Sequence, residues 1–282
     1  MLCEHCGKDT IRRHDSKCPR CTRPCGYPNV RQALELEEVK ALSHRLAEAI
    51  EDAETRGCAN VLDKFRAAVR NSKATINRRL TKLIALVESD DTLFATFYDL
   101  VQAGVKRPSE NEIDKIRKIA DHLIFPGYEQ HIRFATLSLS NNGAPTYGAC
   151  AIVLSEDAIA HRATVFEENT TLYARDQALG TANLVVPKGF RAVWSQRDEL
   201  AAAKLGGMIG IGTKQQDFPG ILLRSDGTDT EKDSFLEVHI YDTLHRSGIE
   251  KVVIPKSARR GNSALVQEVR SKLEPLGVSV EE

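Results

Sequence analysis

The chain has 282 residues, of which 41% are hydrophobic and 28% are charged, a length and composition that suit a globular protein of two or three domains. Basic and acidic side chains balance at 39 each, so bulk charge excludes a general polyanion-binding protein. No run of about 18 apolar residues could form a transmembrane helix, and the start, MLCEHCGKD, lacks the apolar core of a signal peptide. We therefore expect a cytoplasmic protein without membrane contact.

Four of the seven cysteines form two CxxC pairs near the N-terminus, Cys3 with Cys6 and Cys18 with Cys21. Each pair sets two thiolates on one tight turn, and a hairpin between the pairs would bring the turns together around Zn²⁺. We predict a structural zinc ribbon over residues 1–28 with these four ligands, and metal binding would supply its folding free energy. Cys25 or a nearby histidine could replace one ligand.

Basic residues concentrate in two parts of the chain. From Met1 to Arg31 there are seven lysines and arginines against three acidic residues, which suits either nucleic-acid contact or a solvated exterior. Residues 63–82 carry seven basic residues against one acid. That second stretch could bind a nucleic acid or a protein target, or it could pair with the acidic helix before it.

Residues 29–127 are predicted to form a helical domain. Apolar residues recur at helical spacing from Val30 to about Arg56, which predicts a long helix that could form a coiled-coil-like arm. Further helices are expected over 60–72 and 74–87. The sequence FPGY at 125–128 ends the helical pattern and marks a domain boundary. We expect this domain to be a spacer without catalytic groups.

Residues 128–282 change to the alternating pattern of strands. We predict strands near 131–139, 148–154, 182–187, 220–223, 234–241, 250–255 and 277–280, and helices near 155–161, 196–205 and 263–274. This order predicts a mixed α/β domain with an antiparallel-rich sheet. The whole chain is then an α+β multi-domain protein: a small zinc ribbon, a helical spacer domain and a C-terminal domain that could bind a ligand or catalyse a reaction.

The segment FLEVHIY over residues 235–241 divides its side chains between two faces, because successive side chains of a strand point in opposite directions. Leu236, Val238 and Ile240 form an apolar face for the core. The other face holds a carboxylate and an imidazole between two aromatic rings: Phe235, Glu237, His239 and Tyr241. This face could be the wall of a pocket or a wet outer surface.

The order of these motifs resembles the ADP-ribosyltransferase toxin fold over roughly residues 129–256. An early strand of that family carries an Arg or His for the dinucleotide, which Arg133 in HIRFATLSL would match. Thr146-Tyr147-Gly148 would match the groups around the nicotinamide, and Glu237 would match the glutamate of a late strand. His239 stands where the family has a second Glu or Gln, and a Ser-Thr-Ser strand is missing.

The resemblance implies a site for NAD⁺. Transfer of ADP-ribose passes through an oxocarbenium-like ribosyl cation, which the Glu237 carboxylate would stabilise, and Arg133 would pair with the pyrophosphate. Tyr147 or Tyr241 would stack on the nicotinamide. The residues implied for the site are Glu237 and His239 as catalytic groups and Arg133, Thr136, Ser138, Tyr147 and Tyr241 for the cofactor.

Three functions are consistent with the sequence. The first is an NAD-using ADP-ribosyltransferase-like effector that acts on a macromolecular target and is directed by its zinc ribbon and helical arm. The second is a non-enzymatic nucleic-acid-binding or regulatory zinc-ribbon protein, and the third is a hydrolase that uses His131, His161 and His239. The enzyme hypothesis predicts that Glu237 and His239 line a cleft with Arg133 and Tyr147.

Overall fold

The computed structural model of the chain describes residues 1–88, 94–104, 107, 112–178 and 186–281. Within these residues the protein is α+β, with a mostly antiparallel sheet and a four-cysteine cluster near the N-terminus, which confirms the fold class at that level. Most of the strand predicted over 182–187 lies outside the described residues.

Most helices in the described residues are short, and the second along the chain is the longest of them. They are α1 (Pro28–Ala33), α2 (Leu36–Thr55), α3 (Ala59–Val69), α4 (Leu80–Val87), α5 (Phe97–Gln102), α6 (Glu112–Ile124), α7 (Glu156–Ile159), α8 (Thr170–Ala178), α9 (Arg197–Leu205), α10 (Phe218–Leu222), α11 (Lys256–Arg259) and α12 (Ser263–Leu273). Among these helices, not one combines the length and the apolar character needed to span a membrane.

The strands are β1 (Lys73–Arg78), β2 (Ile132–Ser138), β3 (Cys150–Leu154), β4 (Ala163–Phe166), β5 (Arg191–Val193), β6 (Leu223–Arg224), β7 (Ser234–Phe235), β8 (Glu237–Tyr241), β9 (Ile249–Val253) and β10 (Ser279–Glu281). Eight of them form one sheet in the order β10-β9-β3-β1-β2-β8-β4-β5, and β6 pairs with β7. Every pair in the large sheet is antiparallel except β9 with β10.

Strand β1 corrects the helix predicted over residues 74–87, which is wrong in its first half. The β-branched Thr75 and Ile76 suit a pleated strand, and β1 pairs with β2 on one edge and β3 on the other. Helix α4 begins only at Leu80. A strand from the predicted helical domain thus lies in the centre of a sheet whose other strands follow residue 127.

The two faces of the sheet bury different side chains. Leu236, Val238 and Ile240 lie in the main aliphatic core, to which α2, α3, α4, α9 and α12 contribute. Tyr241 lies in a smaller aromatic cluster on the opposite face, which includes residues of α6 and α8. The predicted alternation of this strand is confirmed. Helix α2 packs against α9, and its Leu42 is fully buried, so it is not a projecting arm.

An opening lies between β1 and β2, near the centre of the sheet. The ladder between them joins Lys73–Thr75 to Thr136–Ser138 and stops there. Beyond Thr75, β1 continues its pairing with β3, while the first half of β2 pairs with β8. The two strand edges therefore diverge, and their backbones border a cavity instead of each other.

Candidate functional site

The four predicted cysteine ligands form one compact cluster. The sulfur atoms of Cys3, Cys6, Cys18 and Cys21 all lie within 4.8 Å of one another. The Sγ atoms of Cys3 and Cys21 are 3.7 Å apart, and those of Cys6 and Cys18 are 3.8 Å apart. Four thiols on two tight turns are compatible with a tetrahedral metal site.

The surroundings of this cluster separate Cys25 from the four ligands. The Cys25 thiol contacts the Asp15 carbonyl oxygen at 3.4 Å and receives a hydrogen bond from Arg31. The Thr10 hydroxyl, 3.5 Å from the Cys18 sulfur, and backbone N–H groups lower the pKa of Cys18 to about 6. The backbone N–H of Arg23 lowers the pKa of Cys21, but burial and the neighbouring thiols outweigh it and raise that pKa to about 11. Because the thiolate is the form that binds a metal, metal binding would have to displace the Cys21 proton.

Helix α1 and the residue before it attach the ribbon to the sheet. The Asn29 side chain donates to the Arg162 carbonyl oxygen at 2.9 Å and to the His239 carbonyl oxygen at 3.1 Å. The Tyr27 ring lies 5.5 Å from the ring of Tyr241. Arg31 donates to backbone carbonyl oxygens of the ribbon, including that of Asp15 at 2.7 Å. The N-terminal segment is therefore bonded directly to β8.

A cavity of about 300 Å³ occupies the opening between β1 and β2, a volume at the lower end of the range for small-ligand sites. Helices α5 and α6, the start of α8 and the segment around Tyr147 complete its wall. The polar side chains of the lining are Thr75, Asn77, Arg78, Thr96, Arg117, Asp121, Arg133, Thr136, Tyr147, Asn169, Thr170, Thr171 and Glu237.

The carboxylate of Glu237 is held in this wall from two sides. Its Oε2 accepts a hydrogen bond from the Thr170 N–H at 2.9 Å, where α8 begins. The same oxygen lies 3.1 Å from His239 Nε2, and the Thr170 hydroxyl lies 3.1 Å from that nitrogen. A helix N-terminus favours a negative charge, so the position suits a carboxylate.

His239 lies behind Glu237 and does not line the cavity. Its ring is enclosed by aromatic side chains, with the Phe125 centroid at 4.6 Å edge-on and the Phe166 centroid at 5.8 Å in a stacked arrangement. Burial lowers the pKa of His239, although its bond to Glu237 opposes that shift. The His239 ring therefore contacts Glu237 and Thr170 from behind the cavity wall and orients the carboxylate.

Asn77 fixes the segment that carries Tyr147. Its side-chain amide donates to the carbonyl oxygens of Asn142 and Gly148 at 2.9 and 3.0 Å, and its Oδ1 accepts from the Ala144 N–H at 2.9 Å. The Tyr147 hydroxyl accepts a hydrogen bond from Asn169 at 3.0 Å. Asn77 of β1 thus holds the backbone of this segment and Asn169, just before α8, holds the phenol, while 39% of Tyr147 remains exposed.

Arg133 already has protein partners at the cavity. Its Nε donates to the Phe94 carbonyl oxygen at 3.2 Å, and its terminal nitrogen lies 3.2 Å from the Asp99 carboxylate. Desolvation lowers the pKa of Arg133, and Asp99 opposes that shift. The Arg133 guanidinium therefore forms part of the cavity wall, and the Asp99 carboxylate partly compensates its charge.

Asp121 is a second carboxyl in the lining, and the sequence did not suggest it. It accepts a hydrogen bond from the Tyr98 hydroxyl at 3.2 Å. Desolvation raises the pKa of Asp121 to about 7; Glu237 adds to the shift and Arg117 opposes it. A buried carboxyl that titrates near neutral pH in a cavity is able to exchange protons with a bound ligand.

The structure brings four of the seven site residues implied by the resemblance to the same cavity: Arg133, Thr136, Tyr147 and Glu237. His239 does not line the cavity but contacts two residues that do, Glu237 and Thr170. Ser138 lies deeper along β2 and accepts a hydrogen bond from the Gly143 N–H at 3.4 Å. Tyr241 lies in the aromatic cluster, with its ring 5.5 Å from that of His131, and is not a stacking group for this cavity.

The residues that sequence reasoning missed come from the segment expected to be a spacer. Thr75, Asn77, Arg78, Arg117 and Asp121 all line the cavity and all precede residue 127. The β-branched pair Thr75-Ile76 followed by Arg78-Arg79 was a local sign of a short strand. No local pattern indicates that α6 turns Arg117 and Asp121 toward β8.

The basic stretch over residues 63–82 is divided among α3, β1 and α4 and is not one helix face. Arg66 and Arg70 both pair with Asp198 of α9, at 3.4 and 3.0 Å, and Lys73 pairs with Glu250 at 2.8 Å. The expected pairing with the acidic helix α2 is thus replaced by pairing with α9 and β9.

The histidines proposed for a hydrolase do not assemble a metal site. Neither His131 nor His161 lines the cavity. In the parts of the chain that the structure describes, the four cysteines are the one group of three or more His, Cys, Asp or Glu side chains arranged to hold a metal ion. No protein-family model matches the sequence, and no curated protein matches it significantly.

Proposed function

We propose that the cavity between β1 and β2 is the active site of an NAD⁺-using enzyme that transfers ADP-ribose to a macromolecular target. The observation that carries this proposal is the position of Glu237, whose carboxylate lies in the cavity wall with Arg133 and Tyr147. It is held there by the Thr170 N–H and the His239 ring.

The chemistry requires a fixed negative charge beside the ribose. When the bond between C1′ and the nicotinamide nitrogen breaks, the bonding electrons leave with nicotinamide and the ribose becomes cationic. A preorganised carboxylate stabilises that charge without reorganising. The acceptor then attacks C1′ and loses a proton, and Asp121, with a pKa of about 7, is suited to receive it.

The remaining lining groups fit the same ligand. Tyr147 offers an aromatic face held by Asn169, which would stack on the nicotinamide ring. Arg133 would donate to an anionic part of the ligand as well as to Asp99. A cavity of about 300 Å³ would enclose the reacting nicotinamide and ribose, while the rest of the dinucleotide would extend toward its opening.

The N-terminal cluster would bind Zn²⁺ in a structural role, because four thiolates leave no open position for catalysis. Five exposed cations lie on the ribbon without an acidic partner among the described residues: Lys8, Arg12, Lys17, Arg20 and Arg23. These would direct the enzyme to an acidic target. They also favour the second candidate function, a nucleic-acid-binding protein without catalysis.

The test is nicotinamide release from NAD⁺ with water as the acceptor, combined with calorimetric titration of NAD⁺. We expect Glu237→Gln to lower the release rate by about 100-fold or more while NAD⁺ affinity stays within a few-fold of wild type. Exposed Glu54 provides the matched control, since Glu54→Gln removes the same charge at a distance from the cavity.

A wild-type protein that neither binds NAD⁺ nor releases nicotinamide would refute the enzymatic proposal. The second candidate would then be tested by nucleic-acid affinity against salt, where loss of the ribbon cations should reduce the slope.

A further inference from the structure

Two arginines of the cavity wall differ from Arg133 in having no carboxylate partner. Arg78 ends β1 and donates to the carbonyl oxygen of Asn77 at 2.9 Å. Arg117 lies on α6 and also lines the cavity. Among the described residues, neither guanidinium lies within ion-pair distance of an aspartate or glutamate.

The charges of these two arginines act on each other. Desolvation lowers the pKa of Arg78, and repulsion from Arg117 lowers it further. An uncompensated charge in a desolvated position is costly for the folded protein. Asp99 offsets part of this cost for Arg133. Placing two cations in one wall without an ion-pair partner among the described residues is understandable when an anionic ligand completes the site.

A buried hydroxyl in the same wall also has no partner. Thr75 Oγ1 is fully buried and makes no hydrogen bond, although Thr75 lines the cavity. Hydroxyl groups in such positions are nearly always hydrogen-bonded. This unpaired hydroxyl in the cavity wall is therefore a candidate partner for a ligand oxygen.

The register of the sheet gives the position of Thr75 relative to Glu237. Thr75 is paired with Thr136 across β1 and β2, and Thr136 is paired with Glu237 across β2 and β8. The three residues form one row across neighbouring strands and line the same cavity. With a strand spacing of about 4.8 Å, Thr75 lies about 10 Å from Glu237 in this row.

We propose that Arg78, Arg117 and Thr75 form a subsite for a phosphoryl group of the ligand, two strands away from Glu237. This inference rests on the proposed function in taking the cavity as the active site. It assigns the main phosphate contacts to Arg78 and Arg117 in addition to the contact proposed for Arg133, because Arg133 also donates to Asp99 and Phe94.

A phosphoryl group suits these residues better than a carboxylate does. Two guanidiniums supply two positive charges and several N–H donors in planar arrays, which match the oxygens of a phosphate or pyrophosphate. The Thr75 hydroxyl adds a neutral donor. The substrate class is thus a phosphorylated nucleoside, with its sugar toward Glu237 and its phosphate toward β1.

The first experiment measures the thermal shift produced by inorganic pyrophosphate. We expect stabilisation of wild type and a loss of most of that shift in Arg117→Gln, Arg78→Gln and Thr75→Val. The matched control is Arg79→Gln, which removes an exposed arginine next to Arg78 and should keep the shift. Arg117 is only half-buried, so its variant tests the subsite even where Arg78→Gln does not fold.

The second experiment compares nicotinamide mononucleotide with nicotinamide riboside, which differ by one phosphate. Wild type should bind the mononucleotide more tightly, and Arg117→Gln should reduce that preference by about tenfold or more, since hydrogen bonds to charged groups have this strength. Affinity for the riboside should be unchanged in the variant.

Different results would refute the phosphoryl subsite and the transferase activity. Equal pyrophosphate shifts in wild type, Arg117→Gln and Arg79→Gln, or no shift in any of them, would overturn the phosphoryl subsite whatever the result for nicotinamide release. A shift that depends on Arg117 in a protein that releases no nicotinamide would support the subsite and refute the transferase.

Discussion

Asp121 and Glu237 line the same cavity, yet their surroundings differ in kind. Glu237 receives a backbone N–H bond at the start of α8, whereas Asp121 has the Tyr98 hydroxyl as its hydrogen-bond donor. Burial dominates at Asp121 and raises its pKa to about 7. Two carboxyl groups in different environments can serve as a fixed charge and as a proton carrier in one site.

The raised pKa of Asp121 predicts a dependence of stability on pH. The folded protein holds this proton up to about pH 7, while the unfolded chain releases it near its ordinary pKa of 3.8. The folded state therefore binds more protons between these values, and the free energy of unfolding falls as pH rises through that window. Asp121→Asn removes this dependence.

Urea unfolding at pH 4 and pH 8 measures the effect. The variant should gain stability relative to wild type at pH 8 by up to roughly 4 kcal/mol, the upper limit for a shift of about three units. Asp63→Asn, at an exposed position of α3, should show no such gain. A wild-type pH dependence that Asp121→Asn leaves unchanged would contradict the assignment.

At the scale of elements, the segment between β2 and β3 depends on close contact with β1. Gly148 has a φ of +149°, and a Cβ there would lie 2.2 Å from the carbonyl carbon of Arg78. A side chain at this position would push the Tyr147 segment away from β1 and strain the backbone. Glycine thus permits the approach through which Asn77 anchors that segment.

We expect Gly148→Ala to lower the free energy of unfolding by roughly 1–3 kcal/mol, the cost of backbone strain of this kind. Gly207→Ala is the control, because no atom lies within 4 Å of its Cβ position and its φ is not in the left-handed region. Urea titration of both variants checks the prediction, which is wrong if the two substitutions have equal effects.

The ribbon is the element whose folding should depend on metal. We expect one zinc ion per chain in wild type and in Cys25→Ser, because the Cys25 sulfur is bonded to Asp15 and Arg31 and is not one of the four sulfur atoms grouped within 4.8 Å of one another. Cys21→Ser should lower zinc retention during dialysis against a chelator, since it removes one of four ligands. Elemental analysis of the dialysed proteins measures this, and equal zinc loss from both variants would argue against the ligand set.

At the scale of the whole molecule, the strand period was the most informative sequence signal. The alternation in residues 235–241 correctly placed Leu236, Val238 and Ile240 in the core and Glu237 on the other face. CxxC spacing likewise predicted the cysteine cluster. Both features are local, and local patterns are what a sequence shows directly.

The cavity itself was not predictable in this way. It exists because β1 leaves β2 after three residue pairs, and the two strands are separated by more than 50 residues of chain. The helical prediction over 74–87 hid β1, because pairing on both edges overrode a weak local preference. Arg78, Arg117 and Asp121 then became lining groups only through tertiary placement.

The position of β8 between β2 and β4 has a consequence for synthesis on the ribosome. Until β8 has been synthesised, β2 and β4 each have one edge that lacks its native neighbour. The insertion of β8 completes both pairings at once and also brings Glu237 to Thr170. Pairing of these strands is therefore expected to finish only once β8 has been synthesised, and chains terminated before β8 would expose open strand edges to aggregation.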